Sequence, residues 1–429
     1  MAIRLLMLSV ALSVAQVCAV SDDQFWDGQF GIPGVPYEEG VVSAMLALGN
    51  DLYVGGTFTS IGGLATTSIA RWDGTNWHAL GSGIDGGVFQ LVQSRGELVA
   101  AGHFLTAGGA PARYVAKWDG EEWSEVGGGV NGTVFALATD GSDVYAGGHF
   151  TETGGVPASK VARWDGEKWS ALGAGIIPVY EPNDWVGAVG SLAVNGRDVF
   201  VGGTFRNAGG IAATNIARWD GTNWHALGNG LRYFDGPGSE NGGVGALAVQ
   251  NGVLFAGGSF WRAGDVAATN IARCDGEVWS EVGSGVNDRL VVQSMFADDT
   301  GVYVGGAFRQ IGGVGAERLA EWDGMNWQPV GSGIGVGGLG GGIIAMTSTG
   351  TELYVGGLFT TAGDKPSTNI ALWHIPHSLT IDSESDAVRL RWPATGTNFT
   401  LETKDSLRAT TSIARKFACG PREFSREVG

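Results

Sequence analysis

A segment ending in Gly-x-Phe recurs along the chain, with its Phe at Phe58, Phe104, Phe150, Phe205, Phe260, Phe308 and Phe359. The spacings are 46, 46, 55, 55, 48 and 51 residues. Self-similarity at 40–55 residues is the signature of a repeat architecture, and it restricts the fold more than any other feature. Fourteen residues after each Phe stands Trp72, Trp118, Trp164, Trp219, Trp322 or Trp373, with Cys274 in that place in the fifth repeat. In six repeats Asp-Gly follows, then a second Trp: Trp77, Trp123, Trp169, Trp224, Trp279 and Trp327. Twelve of the 16 Trp therefore belong to the repeat and need no functional explanation.

Each repeat reads as four short strands. In the third, Val134–Ala138, Asp143–Phe150, Lys160–Trp164 and Lys168–Leu172 are the expected strands, and Asp165-Gly166 is the expected tight turn between the last two. No segment carries a sustained 3.6-residue apolar period. Four antiparallel strands per unit at this period predict the blade of a β-propeller. The seventh repeat stops after its third strand, at Asn369–Trp373, without Asp-Gly or a second Trp. Asp22-Asp23-Gln24-Phe25-Trp26 stands before Phe30-Gly31 as Asp73-Gly74-Thr75-Asn76-Trp77 stands before Leu80-Gly81. The expectation is an all-β, seven-bladed propeller over residues 22–375, closed by an N-terminal strand near Trp26. A solenoid is the competing architecture and would need atypical capping repeats.

The chain has 75 Gly among 429 residues, against an ordinary share of about 7%. Gly does not fall at every third position, which excludes collagen. Hydrophobic residues make up 44% of the chain, which excludes general disorder. Gly doublets at the ends of the second strands are expected where backbones crowd together. The formal net charge of −17 argues against a nucleic-acid partner. Residues 1–386 carry 18 Lys and Arg against 39 Asp and Glu, and residues 387–429 carry 8 against 4. That shift marks a boundary and separates a segment 378–429, read as a partial β-sandwich-like appendage with a polar tail.

Residues 1–19 read as a signal peptide: Arg4 in a basic n-region, an apolar stretch Leu5 to Ala15, and small residues in Val17-Cys18-Ala19. Secretion, with an extracellular or cell-surface location, is the expectation, and no transmembrane segment is expected. After cleavage only Cys274 and Cys419 remain, so a disulfide framework is excluded. Cys274 is expected to be buried, since it replaces a structural Trp.

The stretch LYVGGTFTSIGGLATTSIARWDGTNWHALGSG, residues 52–83, resembles repeats of secreted bacterial proteins in the kelch-type, galactose-oxidase-like propeller superfamily. It is also similar to the propeller repeats of fungal cortical polarity-marker proteins. The resemblance covers about residues 22–375. It departs from the kelch pattern in placing Phe after the Gly doublet and in lacking the usual Tyr. It implies a binding or scaffolding propeller and carries over no catalytic residues. Residues 378–407 resemble small β-sandwich modules at the ends of bacterial secreted proteins.

Functional candidates are the residues that break the repeat. Two insertions stand between blades: Ile177–Val186 before the fourth and Leu231–Asn241 before the fifth. They offer the aromatic rings of Tyr180, Trp185, Tyr233 and Phe234 with the carboxylates of Glu181, Asp184, Asp235 and Glu240. Rings and carboxylates together suit a glycan or a protein ligand, and the carboxylates alone can hold Ca²⁺. No other cofactor is expected. The main reading is a non-catalytic binding module. The alternatives are a carbohydrate-active enzyme using insertion carboxylates and a purely structural surface protein. The Asp of the recurring Asp-Gly is a turn former, because six copies of it cannot be one catalytic centre. Copper chemistry lacks its ligand set, since the His residues partly track repeat positions: His78 with His225, His103 with His149. Asn131-Gly132-Thr133 matches a glycosylation sequon but overlaps a turn signal.

Overall fold

The computed structural model describes residues 22–30, 34–38, 40–178, 189–233, 243–276, 278–286, 291–299, 301–337 and 341–376, and the backbone of 380–384 and 387–391. Among the described residues the chain is all-β apart from one short 3-10 turn, Asp22–Phe25. Its repeats become antiparallel sheets. In the first, Val41–Leu48, Asp51–Thr57, Ile69–Trp72 and Trp77–Ala79 lie side by side in chain order. Five more four-stranded sheets follow, with first strands Gly87–Ser94, Val134–Thr139, Val189–Asn195, Gly243–Gln250 and Val292–Ala297. A seventh, with three strands, starts at Gly342–Ser348 and ends at Ile370–His374. Repeated four-stranded meanders packed face to face define a β-propeller.

The first strands pack against one another from sheet to sheet, and Gly342–Ser348 of the seventh packs against Val41–Leu48 of the first. Crowding there explains the Gly doublets. A Cβ on Gly147 would lie 2.3 Å from Val189 Cγ1 of the next sheet, and one on Gly148 would lie 2.2 Å from the Thr133 carbonyl oxygen. Only hydrogen fits at either place.

Farther out, Phe and Trp fill the wedge between sheets. Phe58, Phe104, Phe150, Phe205, Phe260, Phe308 and Phe359 are all buried. The Nε1 of each fourth-strand Trp from Trp123 to Trp327 donates to a carbonyl just beyond the fourth strand of the preceding sheet. Trp123 reaches Leu80 at 3.0 Å and Trp224 reaches Leu172 at 2.8 Å. Each indole thus contributes apolar area and satisfies its polar group across the interface. Cys274 is buried, and burial pushes its thiol pKa up.

The Asp-Gly turns behave as expected. Asp73 Oδ1 accepts from the N–H groups of Thr75 and Asn76, and Asp220 Oδ1 does the same for Thr222 and Asn223. These Asx turns use the carboxylates for shape.

The connection from second to third strand is not a plain loop. It folds into a small hairpin in every repeat, such as Glu152–Thr153 paired with Val156–Pro157. Gly154 and Gly155 form its turn with φ of +53° and +79°, the left-handed pair that a two-residue type I′ hairpin needs. The segment after a fourth strand then adds to the hairpin of the next sheet at five places, such as Ile176–Pro178 on Phe205–Ala208 and Leu231–Arg232 on Arg262–Ala263. Hairpins and inter-sheet segments therefore form a second layer at one end of the sheets.

The N-terminal turn reaches the seventh sheet. Trp26 bridges Trp373 in antiparallel register, and Asp27 N–H donates to the Leu372 carbonyl at 2.8 Å. Near the C-terminus Thr380–Glu384 pairs with Ala387–Arg391 as an antiparallel hairpin.

Candidate binding face

Antiparallel pairing brings the start of each first strand, the end of each second strand and the start of each third strand to the same end of a sheet. The hairpins and the described residues flanking both insertions stand at that end. Of the residues singled out in sequence, Tyr180, Glu181, Asp184, Trp185, Phe234, Asp235 and Glu240 lie outside the described residues, as does the 1–19 segment. Tyr233 is described. Its ring lies 5.2 Å from that of Trp261 at 36°, and Trp261 is 45% exposed. The backbone holds the pair in place: Trp261 N–H donates to the Arg232 carbonyl at 2.9 Å, and Arg232 pairs in register with Arg262. Arg232 also donates to the Gly264 carbonyl at 2.8 Å.

Trp261 was not evident in sequence as a partner of Tyr233. It belongs to a wider arc that can be found by aligning hairpins. Leu105, Val156, Ile177, Ile211 and Trp261 are exposed on or beside the hairpins of the second to fifth sheets. Where Leu105 and Trp261 stand, the first, sixth and seventh repeats carry Thr59, Arg309 and Thr360. The third and fourth repeats carry Thr151 and Arg206 there, and half-buried Leu64 and Val314 stand at the Val156 place in the first and sixth. Among the described hairpin residues it is thus the exposed large apolar groups that gather in the second to fifth sheets. A run of exposed apolar groups of this kind marks a contact surface more often than a lone exposed Leu does.

The same sector breaks the repeat nearer the middle. Every first strand slips by one residue against its second strand at one place, leaving a bulge at Ser43, Phe89, Phe135, Gly190, Gly245, Gln293 or Ile344. Phe89 and Phe135, from adjacent sheets, stack at 6.0 Å and 11° and are half-buried. Gly190 and Gly245 are exposed and carry no side chain. The residue before the Phe of Gly-x-Phe is His103 in the second sheet and His149 in the third.

A third position departs from Asn in four sheets, the first, second, third and sixth. The residue before each third strand takes a left-handed φ between 61° and 70°: Ser68, Tyr114, Lys160, Asn215, Asn270, Arg318 and Asn369. Asn suits this conformation and uses it. Asn215 Oδ1 accepts from Phe205 N–H at 3.0 Å, and its Nδ2 donates to the Leu231 carbonyl at 2.8 Å, clamping one sheet to the next segment. Tyr114 and Lys160 have no such tolerance, and a non-Gly residue held there costs about 1–3 kcal/mol. Tyr114 meets His103 edge-on at 5.7 Å, and His103 Nδ1 lies 2.8 Å from Thr133 Oγ1 of the third sheet. Burial, with Lys160 nearby, holds the His149 imidazole pKa below its usual range.

Other candidates resolve into structure. The Asn131 amide is engaged on both sides: its Oδ1 accepts from Thr151 and Glu152 N–H groups, and its Nδ2 donates to Thr151 Oγ1. His78 and His225 are bound to the turn carboxylates of Asp73 and Asp220 at 2.6 Å. Among the described residues no cluster of three His, Cys, Asp or Glu has the arrangement of a metal site. No described helix is long and apolar enough to cross a membrane.

No protein-family model matches the chain, and no curated protein matches it. Solved structures are similar at low identity. The computationally designed Ika8 protein is 15% identical over 80% of this chain and 98% of its own, with a TM-score of 0.45. YCF48, solved bound to a D1 peptide, is 11% identical over 82% of this chain and 97% of its own, with a TM-score of 0.48. The WD40 β-propeller domain of Doa1 is 11% identical over 78% and 92%, with a TM-score of 0.47. At such distances the propeller description rests on this chain's own sheets.

Proposed function

We propose that this protein is an exported, non-catalytic binding scaffold that engages a protein ligand through the hairpin face of its second to fifth sheets. The exposed arc of Leu105, Val156, Ile177, Ile211 and Trp261 carries this reading. Export is supported by the leader-like pattern of Arg4, the apolar stretch to Ala15 and Val17-Cys18-Ala19. The scaffold is a closed ring of seven blades of the kelch type, with the segment around Trp26 as the outer strand of the seventh. Two observations support closure. Trp26 bridges Trp373, and Val42, Val54 and Phe58 share one apolar core with Ala345, Tyr354 and Ile370.

The fourfold variant Leu105→Ser, Val156→Ser, Ile211→Ser, Trp261→Ser tests the protein reading. It should keep its melting temperature and lose a protein that the wild type captures from the culture medium of its host. If both forms capture the same proteins, or neither captures any, the reading fails. A carbohydrate ligand is the second reading, favoured by the Tyr233–Trp261 pair at the root of the second insertion. Binding by the wild type on a glycan array, lost in Tyr233→Ala with Trp261→Ala, would establish it.

A further inference from the structure

The junction between the seventh and first sheets uses the same kinds of residue as the other junctions, yet it stays open. In the second to sixth sheets the fourth-strand Trp is buried, and its Nε1 donates to a carbonyl of the preceding segment. In the first sheet Trp77 is half-buried, and among the described residues its Nε1 makes no hydrogen bond. The preceding segment here is the N-terminal one. Phe30 stands in it where the other junctions have Leu80, Val126, Leu172, Leu227 or Val282. The Phe30 ring meets Trp72 at 5.3 Å and 68° and Trp77 at 5.9 Å and 52°, and the two indoles lie 5.2 Å apart at 52°. Rings tilted this far form a cup, not a stack. With Gln29, Thr75 and Asn76 they line a cavity of about 500 Å³. All three polar side chains are exposed, and none is bonded among the described residues. The Asp73 turn uses only the main-chain N–H groups of Thr75 and Asn76. The fourth sheet shows the same parts closed. Its turn carries Thr222-Asn223 before Trp224, and its two indoles tilt alike, at 5.4 Å and 55°. There Trp224 is 8% exposed and bonded to the Leu172 carbonyl. The open cup is thus a property of the junction, not of the turn.

We infer that this cavity binds a neutral saccharide unit, with a sugar ring seated against the indoles. Its size lies within the usual span of small-molecule sites, roughly 300–1,000 Å³. Among the described residues no Asp, Glu, Lys, Arg or His lines it, so nothing there recognises an ionic ligand. The polar groups narrow the chemistry further. The Gln29 and Asn76 amides and the Thr75 hydroxyl each donate and accept, and Trp77 Nε1 adds a donor. Neighbouring sugar hydroxyls also do both at once. A proline-rich peptide would bring carbonyl acceptors and use half of that set, and a hydrocarbon would use none of it. The apolar C–H face of the sugar ring buries against Trp72 and Trp77, whose faces are not stacked on each other. The cavity shares no residue with the exposed arc or with the Tyr233–Trp261 pair. The inference therefore goes beyond the protein-binding reading and does not rest on it.

The test is NMR titration of the full chain, isotope-labelled at its indole nitrogens, with the methyl β-glycosides of glucose, galactose, mannose and N-acetylglucosamine. The Trp77 indole signal is assigned by its absence from Trp77→Phe. At least one glycoside should shift that signal saturably. Saturation transfer to the glycoside then measures the variants. Trp77→Phe keeps a ring and loses the donor, and should weaken binding at least about fivefold, as loss of a hydrogen bond does. Asn76→Ala should weaken it at least about threefold, while Asn223→Ala, the same change in the fourth sheet, should stay within about twofold of wild type. The Asn76 side chain is exposed and its N–H still serves the turn, so this variant keeps the fold even if Trp77→Phe does not. The inference is overturned if no glycoside shifts the Trp77 signal, if tetraproline shifts it and the glycosides do not, or if Asn76→Ala and Asn223→Ala bind alike. Loss of glycoside binding in Tyr233→Ala with Trp261→Ala, with the Trp77 signal unmoved, would overturn it in favour of the other sugar reading. The fourfold arc variant leaves every lining residue in place and should still bind the glycoside, so this site stands or falls apart from the reading of the arc.

Discussion

The first and seventh sheets solve one problem with different chain connectivity. In the first, the outer strand follows directly: Trp72 pairs with Trp77, Arg71 with His78 and Ala70 with Ala79. In the seventh, Trp26 bridges Trp373, some 347 positions away, where Trp77 pairs with Trp72 in the first. The side chains beyond each Trp pair are exchanged. Asp73 follows Trp72 and holds His78 at 2.6 Å, whereas His374 follows Trp373 and holds Asp27 at 2.9 Å. An acid and an imidazole occupy the same two places with their owners reversed. Ser124, Ser170, Ser280 and Gln328 stand in the His78 place of other repeats, so the acid–imidazole pair is particular to the first, fourth and seventh sheets, and either strand can carry the acid. The seventh sheet differs in strength as well. Only one residue pair joins its outer segment among the described residues, and packing takes over from hydrogen bonding. Trp26 is almost wholly buried and meets Trp373 at 5.0 Å, while Trp77 is half-buried. Among the described residues Trp26 Nε1 has no partner, although its counterparts from Trp123 to Trp327 donate to a carbonyl of the preceding sheet.

Truncating the two Trp residues should separate these modes most strongly. Trp26→Ala removes a fully buried indole and should cost about 3–5 kcal/mol in urea unfolding. Trp77→Ala should cost about half as much, since its ring is partly solvated and its strand is held by three residue pairs. Equal losses would mean that the ladder, not the indole, secures the seventh sheet.

Much of this contrast was legible in the chain. The match between the segment ending at Trp26 and the one ending at Trp77, where Asp, Trp and Phe recur at fixed offsets, predicts an N-terminal strand on the seventh sheet; the described structure shows a 3-10 turn and one bridge to Trp373 there. The strands of the third repeat were also readable to within one or two residues, except that Lys160 belongs to a left-handed turn before Val161. The hairpins between second and third strands were not foreseen. Each strand in them is only two residues long, too short for an alternating pattern, and the Gly-Gly signal had been absorbed into the general Gly excess. The inner sector was hidden for a related reason. Phe89 reads as one more apolar residue of a strand until the bulge at that place takes it out of register, and His103 with His149 reads as a small repeat of its own. Of the eight site residues expected from the insertions, only Tyr233 falls within the described structure, and its ring partner Trp261 comes from a different element.

Exchanging His374 and Asp27 sharpens the comparison further. Each single change, His374→Asp or Asp27→His, sets like groups side by side, and each should cost on the order of 0.5–1 kcal/mol as a half-exposed pair. The double exchange rebuilds the order found in the first sheet and should recover most of that loss, which a double-mutant cycle in urea measures as coupling. Additive losses would show that the two side chains do not depend on each other.

The smallest expected effect concerns acid. Backbone N–H groups of Asn76 and Thr75, with His78, lower the Asp73 pKa to about 2, and Asp220 is lowered to about 2 in the same way. A carboxylate lowered in the folded state adds stability that is complete above its unfolded pKa, about 3.9, and is lost as pH falls through the folded value. The window for both turns therefore runs from about pH 4 down to about pH 2. Carboxyl NMR titration should find Asp73 and Asp220 near the bottom of that window. His78→Ala should raise the Asp73 midpoint and leave Asp220 where it is, since the two turns belong to separate sheets. Because both groups sit at the surface, the change should appear in the titration curves before it is measurable in unfolding. If Asp73 titrates unchanged without His78, the backbone donors alone set its pKa, and the acid–imidazole pairs of the first and seventh sheets are consequences of the fold and do not help to hold it.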